Sequence, residues 1–388
     1  MKIAFFSTLA AETPWGGSEE LWCQTASLAL ERGHQLAVVN YRWPQVPRKI
    51  SELQERGAWL LRLPHPREAG HARDFHSRLK RKWDRFRAWS SLASWKPEVV
   101  CVSQAGTFDM VPHGAITGFA NEHSVPYVVI CHHNCEDLSF IDEAARHAAI
   151  GFFSRARNVA FVAQRNLRVV ERQIATHLAD VCVIRNPVNL ANLNPVPYPN
   201  SDLVKMANVA RAEAQCKGQD VLLETLSEGI WKQRRWLLRF YGDGVDRPYL
   251  ERLTGHYGLA DKVEFCGHIG DVRSIWADNH LLVMPSRSEG TPLSLVEAMI
   301  CGRPSVVTDV GGHTEWVNEP SIGFVAEAPS ASSLNKALER AWEARERWES
   351  IGQHAREVAL TKIDPHPDES LLSLLVCDRA RHGSPRAT

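Results

Sequence analysis

Pro285-Ser-Arg-Ser-Glu289-Gly290-Thr291-Pro292-Leu293-Ser-Leu-Val-Glu297-Ala-Met-Ile-Cys301-Gly302-Arg303-Pro304 follows directly on the apolar run Leu281 to Met284, and the two read together as strand, loop, helix and stop. Four consecutive apolar residues suit a strand buried on both faces. Thr291 can cap the next helix, Pro292 suits its first position, and Gly302 with Pro304 ends it. A helix that starts at a strand's carboxyl end aims unpaired N–H groups and a partial positive charge away from the sheet, which suits a phosphate. Glu289, in the loop before that start, can accept hydrogen bonds from sugar hydroxyls. Glu297, more than one turn inside, can hold a second set such as those of a ribose. By spacing alone, a capped helix with solvated glutamates fits equally well.

The same alternation runs outward in both directions. Short apolar runs at Ile3 to Phe6, Leu36 to Val39, Val99 to Val102, Tyr127 to Ile130, Val159 to Val162 and Val181 to Ile184 are separated by helix-length segments. This is the pattern of a doubly wound parallel sheet. Between Asn186 and Asn200 the prolines 187, 195, 197 and 199 exclude regular structure. The alternation then restarts at Val204 to Val209, Trp236 to Tyr241, Val263 to Phe265, Leu281 to Met284 and Ser305 to Thr308. The expected fold class is thus α/β, with two Rossmann-like doubly wound domains facing across a cleft: residues 1–187, a linker over 188–200, and residues 201–363. The terminal segment 364–388 can return to the first domain. Carboxyl ends of both sheets would then share one ligand space.

Glu289 and Glu297, separated by seven residues within E-G-x-P-x-x-x-x-E-A-M-x-x-G-x-P, resemble the donor-site motif of retaining glycosyltransferases of GT-B fold, family 4 especially (glycosyl transferases group 1). Other parts of that pattern follow in order. Trp15-Gly16-Gly17-Ser18-Glu19 with Glu31-Arg32-Gly33-His34 is similar to the glycine-rich loop and first helix of the amino-terminal lobe. Pro126-Tyr-Val-Val-Ile-Cys131-His132-His133-Asn134 is similar to the strand ending in His-Gly whose histidine contacts the transferred sugar; His132 fits by count, with His133 the neighbour that could face the sugar instead. Asn186-Pro187-Val188-Asn189 resembles the element at the lobe junction. Asn208-Val-Ala210-Arg211, leading to Cys216-Lys217-Gly218, resembles the Gly-Arg-Leu…Lys-Gly segment, with Ala210 in place of the usual glycine. Tyr241-Gly242-Asp243-Gly244, Gly267-His268-Ile269 and Asp309-Val-Gly311-Gly312-His-Thr-Glu315 extend the match.

What the resemblance implies is transfer of a sugar, with retention of anomeric configuration, from a nucleotide-diphosphate sugar to a glycan or lipid-linked acceptor in cell-surface polysaccharide or glycolipid synthesis. Glu289, Arg211, Lys217 and His132 would be catalytic. Gly16, Gly17, Gly290, Thr291, Pro292, Leu293, Glu297, Gly267, His268 and Ile269 would bind the donor. No metal or cofactor is implied. Nucleotide-sugar epimerases and phosphorylases share the fold, and a lobe pair that only binds nucleotide as a scaffold is a further alternative. A dehydrogenase is disfavoured because no Gly-x-Gly-x-x-Gly follows the first strand.

Composition narrows the partners. With 45 basic and 45 acidic residues there is no overall field to draw in nucleic acid. Nine cysteines without regular spacing fit a reducing, cytoplasmic compartment. The opening apolar run reads as a first strand with its loop through Glu12, rather than as a signal sequence. No run approaches the roughly 20 residues needed to span a bilayer. Cys131, His132, His133 and Cys135 are ligand-type residues, yet neighbours on one strand end cannot all turn toward one ion. From Arg73 to Arg87 seven basic residues face Asp74 and Asp84, with Phe75, Leu79, Trp83, Phe86 and Trp89 on one helical face. That face can pack on the first lobe, which is the plainer reading. It can also lie on an anionic membrane, giving a peripheral contact through residues 73–89 at the inner membrane face.

Overall fold

The computed structural model describes residues 1–10, 14–66, 75–111, 115–136, 142–318 and 320–377. Glu12, Arg73, Asp74 and residues 378–388 lie outside the described residues, as do the side chains of Phe75 and Arg78. Two parallel sheets form the chain. The first holds β1 (Lys2–Ser7), β2 (Gln35–Tyr41), β3 (Trp59–Leu63), β4 (Val99–Gln104), β5 (Tyr127–Cys131), β6 (Asn158–Phe161) and β7 (Val181–Val183), in the order β3-β2-β1-β4-β5-β6-β7. The second holds β8 (Val204–Val209), β9 (Trp236–Tyr241), β10 (Val263–Gly267), β11 (Leu281–Met284), β12 (Ser305–Thr308) and β13 (Phe324–Ala326), in the order β10-β9-β8-β11-β12-β13.

Helices cover both faces of each sheet, so the strands alternate between two apolar layers. In β1, Ala4 and Phe6 enter one layer while Ile3 and Phe5 enter the other. In β11, Leu281 and Val283 enter one and Leu282 and Met284 the other. In both sheets the order turns back beside the first strand. That opens a crevice between the carboxyl ends of β1 and β4, and of β8 and β11, where α/β proteins bind ligands. The apolar runs of the sequence do not include β3 and β13, both at sheet edges.

The segment between the sheets is irregular, and arginines take up its carbonyl groups. Arg303, fully buried, donates to the carbonyls of Val196 and Pro197 as well as to Trp276 and Asn279, and lies over the Tyr198 ring. Arg273 holds Asn192 and Asn194 in the same way. Fixed to the second lobe by these bonds, the linker gives its backbone partners that regular structure would otherwise provide.

The helix Phe75–Trp95 corrects the expectation that its aromatic face packs on the first lobe. Only its later turns do so: Leu92 is buried, and Trp89 stacks on Phe6 at 5.7 Å and lies against Phe119. Leu79, Trp83 and Phe86 remain 54%, 58% and 61% exposed.

The last described helix, Pro367–Val376, lies on the helix Gly17–Glu31 of the first lobe. Leu371, Leu372 and Leu375 join the layer of Leu21, Trp22 and Phe5, and Arg157 donates to the carbonyl of Leu374 at 2.8 Å. Truncating Leu371 or Leu375 to Ala should therefore cost about 2–5 kcal/mol, and the loss should fall on the lobe at the other end of the sequence. Hydrogen exchange checks this: amides of β1, β4 and Gly17–Glu31 should exchange faster, with those of β8 and β11 unchanged.

Candidate active site

The loops after β8 and β11 meet at the crevice of the second sheet. Gly218 makes the contact possible. Its φ is +64°, and a Cβ there would sit 2.0 Å from the carbonyl oxygen of Pro285, so no side chain fits. Arg287 then stitches the loops together, its backbone N–H donating to Cys216 O at 2.8 Å and its guanidinium gripping both oxygens of Asp220. This brings Lys217 Nζ to 2.7 Å from Glu289 Oε1, which also accepts from Ser286 Oγ at 2.9 Å. Both bonds fall on one oxygen, so among the described residues Oε2 carries none. Burial would raise the Glu289 carboxyl, but Lys217, His313 and His133 more than offset it and hold it below its ordinary value. It is therefore an anion at neutral pH.

Arg211 opens the same loop. Its guanidinium pairs with Glu213 at 3.0 Å and stays partly exposed, while its carbonyl accepts from Gln219 Nε2. The structure thus joins Lys217 to Glu289 directly, while the Arg211 side chain is engaged by Glu213 and not by that pair. Gly267, His268 and Ile269 lie farther along the sheet edge. Gly267 has φ +67° beside an irregularity in β10, its carbonyl accepts from Gly242 N at 2.8 Å, and His268 N donates to Asp243 at 3.2 Å.

The expected capping of the next helix needs correcting by one position. The helix runs Leu293–Ile300, Pro292 is its N-cap rather than its first residue, and Thr291 donates its hydroxyl to Val162 O of the first lobe at 2.6 Å. Among the described residues no side chain caps this start, nor that of the helix Gly17–Glu31, whose N-cap is Gly16. The two starts lie close together: a Cβ on Gly17 would lie 3.3 Å from Leu293 Cδ1. Two uncapped helix starts converging from two lobes concentrate partial positive charge and free N–H groups where a diphosphate would fit.

The first lobe closes over this point. Asn134 and Glu289 form an antiparallel bridge, and Asn166 donates to the Glu289 carbonyl at 3.4 Å. His132 and His133 turn in different directions, as strand neighbours do. His132 Nε2 lies 3.1 Å from Ser103 Oγ, and the Asn186 side chain is the other polar group beside its buried ring. Burial lowers this imidazole to about 4, so it is neutral. His133 Nε2 reaches Ser288 Oγ of the second lobe at 3.0 Å. Arg165 is the clasp: it pairs with Asp309 and Glu136, and its backbone N–H donates to Glu315 at 2.9 Å. Nothing local marks Arg165 or Glu136 in the sequence, because they act on loops brought together only by folding; Ser286 and Ser288 lie in the stretch that decides the fold, but their types alone do not single them out. His313 and Glu315 lie in a stretch already matched, and its match to the family pattern was the one signal for them. Among the described residues no three His, Cys, Asp or Glu side chains are grouped to hold a metal ion.

Two further carboxyls are buried nearby. Burial raises Glu297 to about 7, against a backbone hydrogen bond from Asn189, and raises Glu19 to about 7 against bonds from Ser7, Trp22 and Ser18.

Both the closure and the buried carboxyls can be tested. A methyl on Gly290 would lie 1.8 Å from His132 O and 2.9 Å from Val162 Cγ2. Gly290→Ala should hold the lobes apart while each folds, so small-angle scattering should show a larger radius of gyration; an unchanged profile contradicts the closure. For Glu297, the unfolded chain loses its proton near its ordinary 4.5 while the folded chain keeps it to about 7. Folding stability therefore falls as pH rises across that window and stays lower above it. Glu297→Gln removes this penalty, so its gain in melting temperature over the unliganded parent should be larger at pH 8 than at pH 5.

Residues 196–358 match the family described as glycosyl transferases group 1. Over 163 residues the chain is 32% identical to a component of the phosphatidylinositol N-acetylglucosaminyltransferase of Homo sapiens, covering 42% of this chain and 33% of that one. Over 156 residues it is 30% identical to alpha-D-kanosaminyltransferase of Streptomyces kanamyceticus, covering 40% of each chain. These matches span less than half the length of either relative. The fold as a whole is similar to Anabaena HepE, solved with UDP-glucose: TM-score 0.71, 17% identity, and 96% and 98% of the two chains covered. Residues 196–358 are thus similar to the glycosyl transferases group 1 family, within a chain of GT-B fold.

Proposed function

We propose that the chain is a retaining glycosyltransferase that moves a sugar from a nucleotide-diphosphate sugar to a glycan or lipid-linked acceptor, acting at the cytoplasmic side in cell-surface polysaccharide or glycolipid synthesis. Residues 1–187 would serve the acceptor and residues 201–363 the donor. The carrying observation is the Lys217–Glu289 pair, held where two uncapped helix starts meet between the lobes. Both relatives are sugar transferases by name, which supports the reaction class.

In this reading the diphosphate lies at the helix starts. Lys217, Arg211 and the free N–H groups at Gly17 and Leu293 neutralise it, which is the task a metal performs in other transferases. Charge grows on the diphosphate as the bond from the sugar's anomeric carbon to oxygen breaks, so donors already fixed there stabilise the transition state more than the ground state. Glu289 Oε2 accepts from a sugar hydroxyl, and His132, neutral and set between Ser103 and Asn186, holds another from the first lobe. Glu297 takes the ribose hydroxyls; Gly267, His268 and Ile269 border the base. The acceptor hydroxyl attacks from the face the diphosphate leaves, and its proton passes to the departing phosphate oxygen, so configuration is retained without a covalent sugar–enzyme intermediate.

The test begins with a thermal-shift screen of UDP-, GDP- and ADP-sugars, since a bound donor raises the melting point by mass action. With the donor that binds, label must appear on an acceptor and the product must keep the donor's anomeric configuration. Lys217→Ala should lower kcat/KM by about 10²–10³-fold, the usual cost of losing one such charge. Label released as free sugar, epimerised donor or sugar phosphate would replace the transferase reading with one of the alternatives.

A further inference from the structure

Among the described residues, the apolar stripe on the helix Phe75–Trp95 packs against no other element in its first half: Leu79, Trp83 and Phe86 are exposed. Leu79, Trp83 and Phe86 follow the i, i+4, i+7 spacing of one helical face, and Trp83 stacks on Phe86 at 5.7 Å rather than on the body of the lobe. With His76, Lys80 and Lys82 they line a shallow hollow open to solvent. At about 100° per residue, Lys82 projects about 60° to one side of the stripe and Lys80 and Arg87 about 80–100° to the other. All three are exposed, as is Arg85. The one acid among the described side chains of residues 76–87, Asp84, is paired with Arg42.

From this face we infer that the helix Phe75–Trp95 docks the chain on an anionic lipid bilayer, with Leu79, Trp83 and Phe86 entering the headgroup boundary and Lys80, Lys82 and Arg87 contacting lipid phosphates. An apolar wedge bordered by cations is complementary to that surface on both counts. A second copy of the chain is a poorer occupant, because a two-fold pairing of this face would set its lysines and arginines against their own kind. The helix also lies at the right edge of the lobe. Arg42 follows the carboxyl end of β2, and Arg85 and Asp109 both lie within electrostatic reach of Tyr41, on the side where the cleft opens. The bilayer contact stands independently of the proposed transfer; its corollary, that the acceptor is lipid-linked rather than a free glycan, rests on that reading.

Cosedimentation tests the contact with no donor or acceptor present. The full chain should pellet with vesicles of phosphatidylcholine containing about a third phosphatidylglycerol, stay in solution with phosphatidylcholine alone, and release as salt rises. Trp83→Ser with Phe86→Ser should cut partitioning by about tenfold or more. Lys80→Glu with Lys82→Glu should erase the preference for anionic lipid. Melting temperatures should not fall, since the replaced side chains are exposed. A parent chain that stays in solution with anionic vesicles, or variants that partition like the parent, overturns the proposal. So does a dimer of the parent that these substitutions dissociate without any vesicle binding. Donor thermal shift, run on the same samples, separates failure here from failure of the transferase reading.

Discussion

A carboxylate buried as Glu289 is buried can remain ionised only with a cation beside it, and the loops of the second lobe are arranged so that Lys217 is that cation. Leaving such a charge without its partner costs about 3–5 kcal/mol. The pair therefore constrains its surroundings: Gly218 must let the loops touch, Arg287 must bind them, and Ser286 must take a share of the same oxygen. The arrangement is a poor way to gain stability and a good way to hold two opposite charges ready in a place sheltered from water.

The same pair explains why the lobes meet where they do. Glu289 reaches the first lobe through its backbone, in the bridge to Asn134, while its side chain stays with the second. Gly290 lets the His132 carbonyl approach, and Thr291 gives up its role as a cap to bond Val162. The helix start is left bare, with free N–H groups beside a second bare start at Gly17. Around this centre, Arg165 with Asp309, Glu136 and Glu315 ties the rim by charges that salt and water can loosen. A centre closed by fixed backbone contacts and a rim closed by ion pairs suit lobes that part to exchange ligands.

Much of this was legible in the sequence because the central strands of both sheets are buried on two faces and so read as unbroken apolar runs. β3 escaped notice because it is an edge strand with Arg62 in it and most of its residues are only half buried; β13 is an edge strand of three residues. Glu289, Lys217 and the helix after Pro292 were visible because one loop and one helix start carry them in a fixed spacing. Their contact was not, since it depends on how closely Gly218 approaches Pro285. The clasp at Arg165 was invisible for the same reason, being made by loops far apart in the chain. The helix Phe75–Trp95 differs from its expectation for another reason: its spacing showed an apolar face, but only the later half of that face finds the sheet, and spacing carries no information about what lies opposite.

The proposed transfer turns on an anion seated beside the Lys217 ammonium and the two helix starts. A crystal structure with the nucleoside diphosphate that gives the largest thermal shift addresses this most directly. The predicted result is a diphosphate between Gly17 and Leu293 within hydrogen-bond distance of Lys217, with Glu289 facing the space beyond the terminal phosphate. A diphosphate bound elsewhere, with the Lys217–Glu289 pair and both helix starts undisturbed, would contradict it.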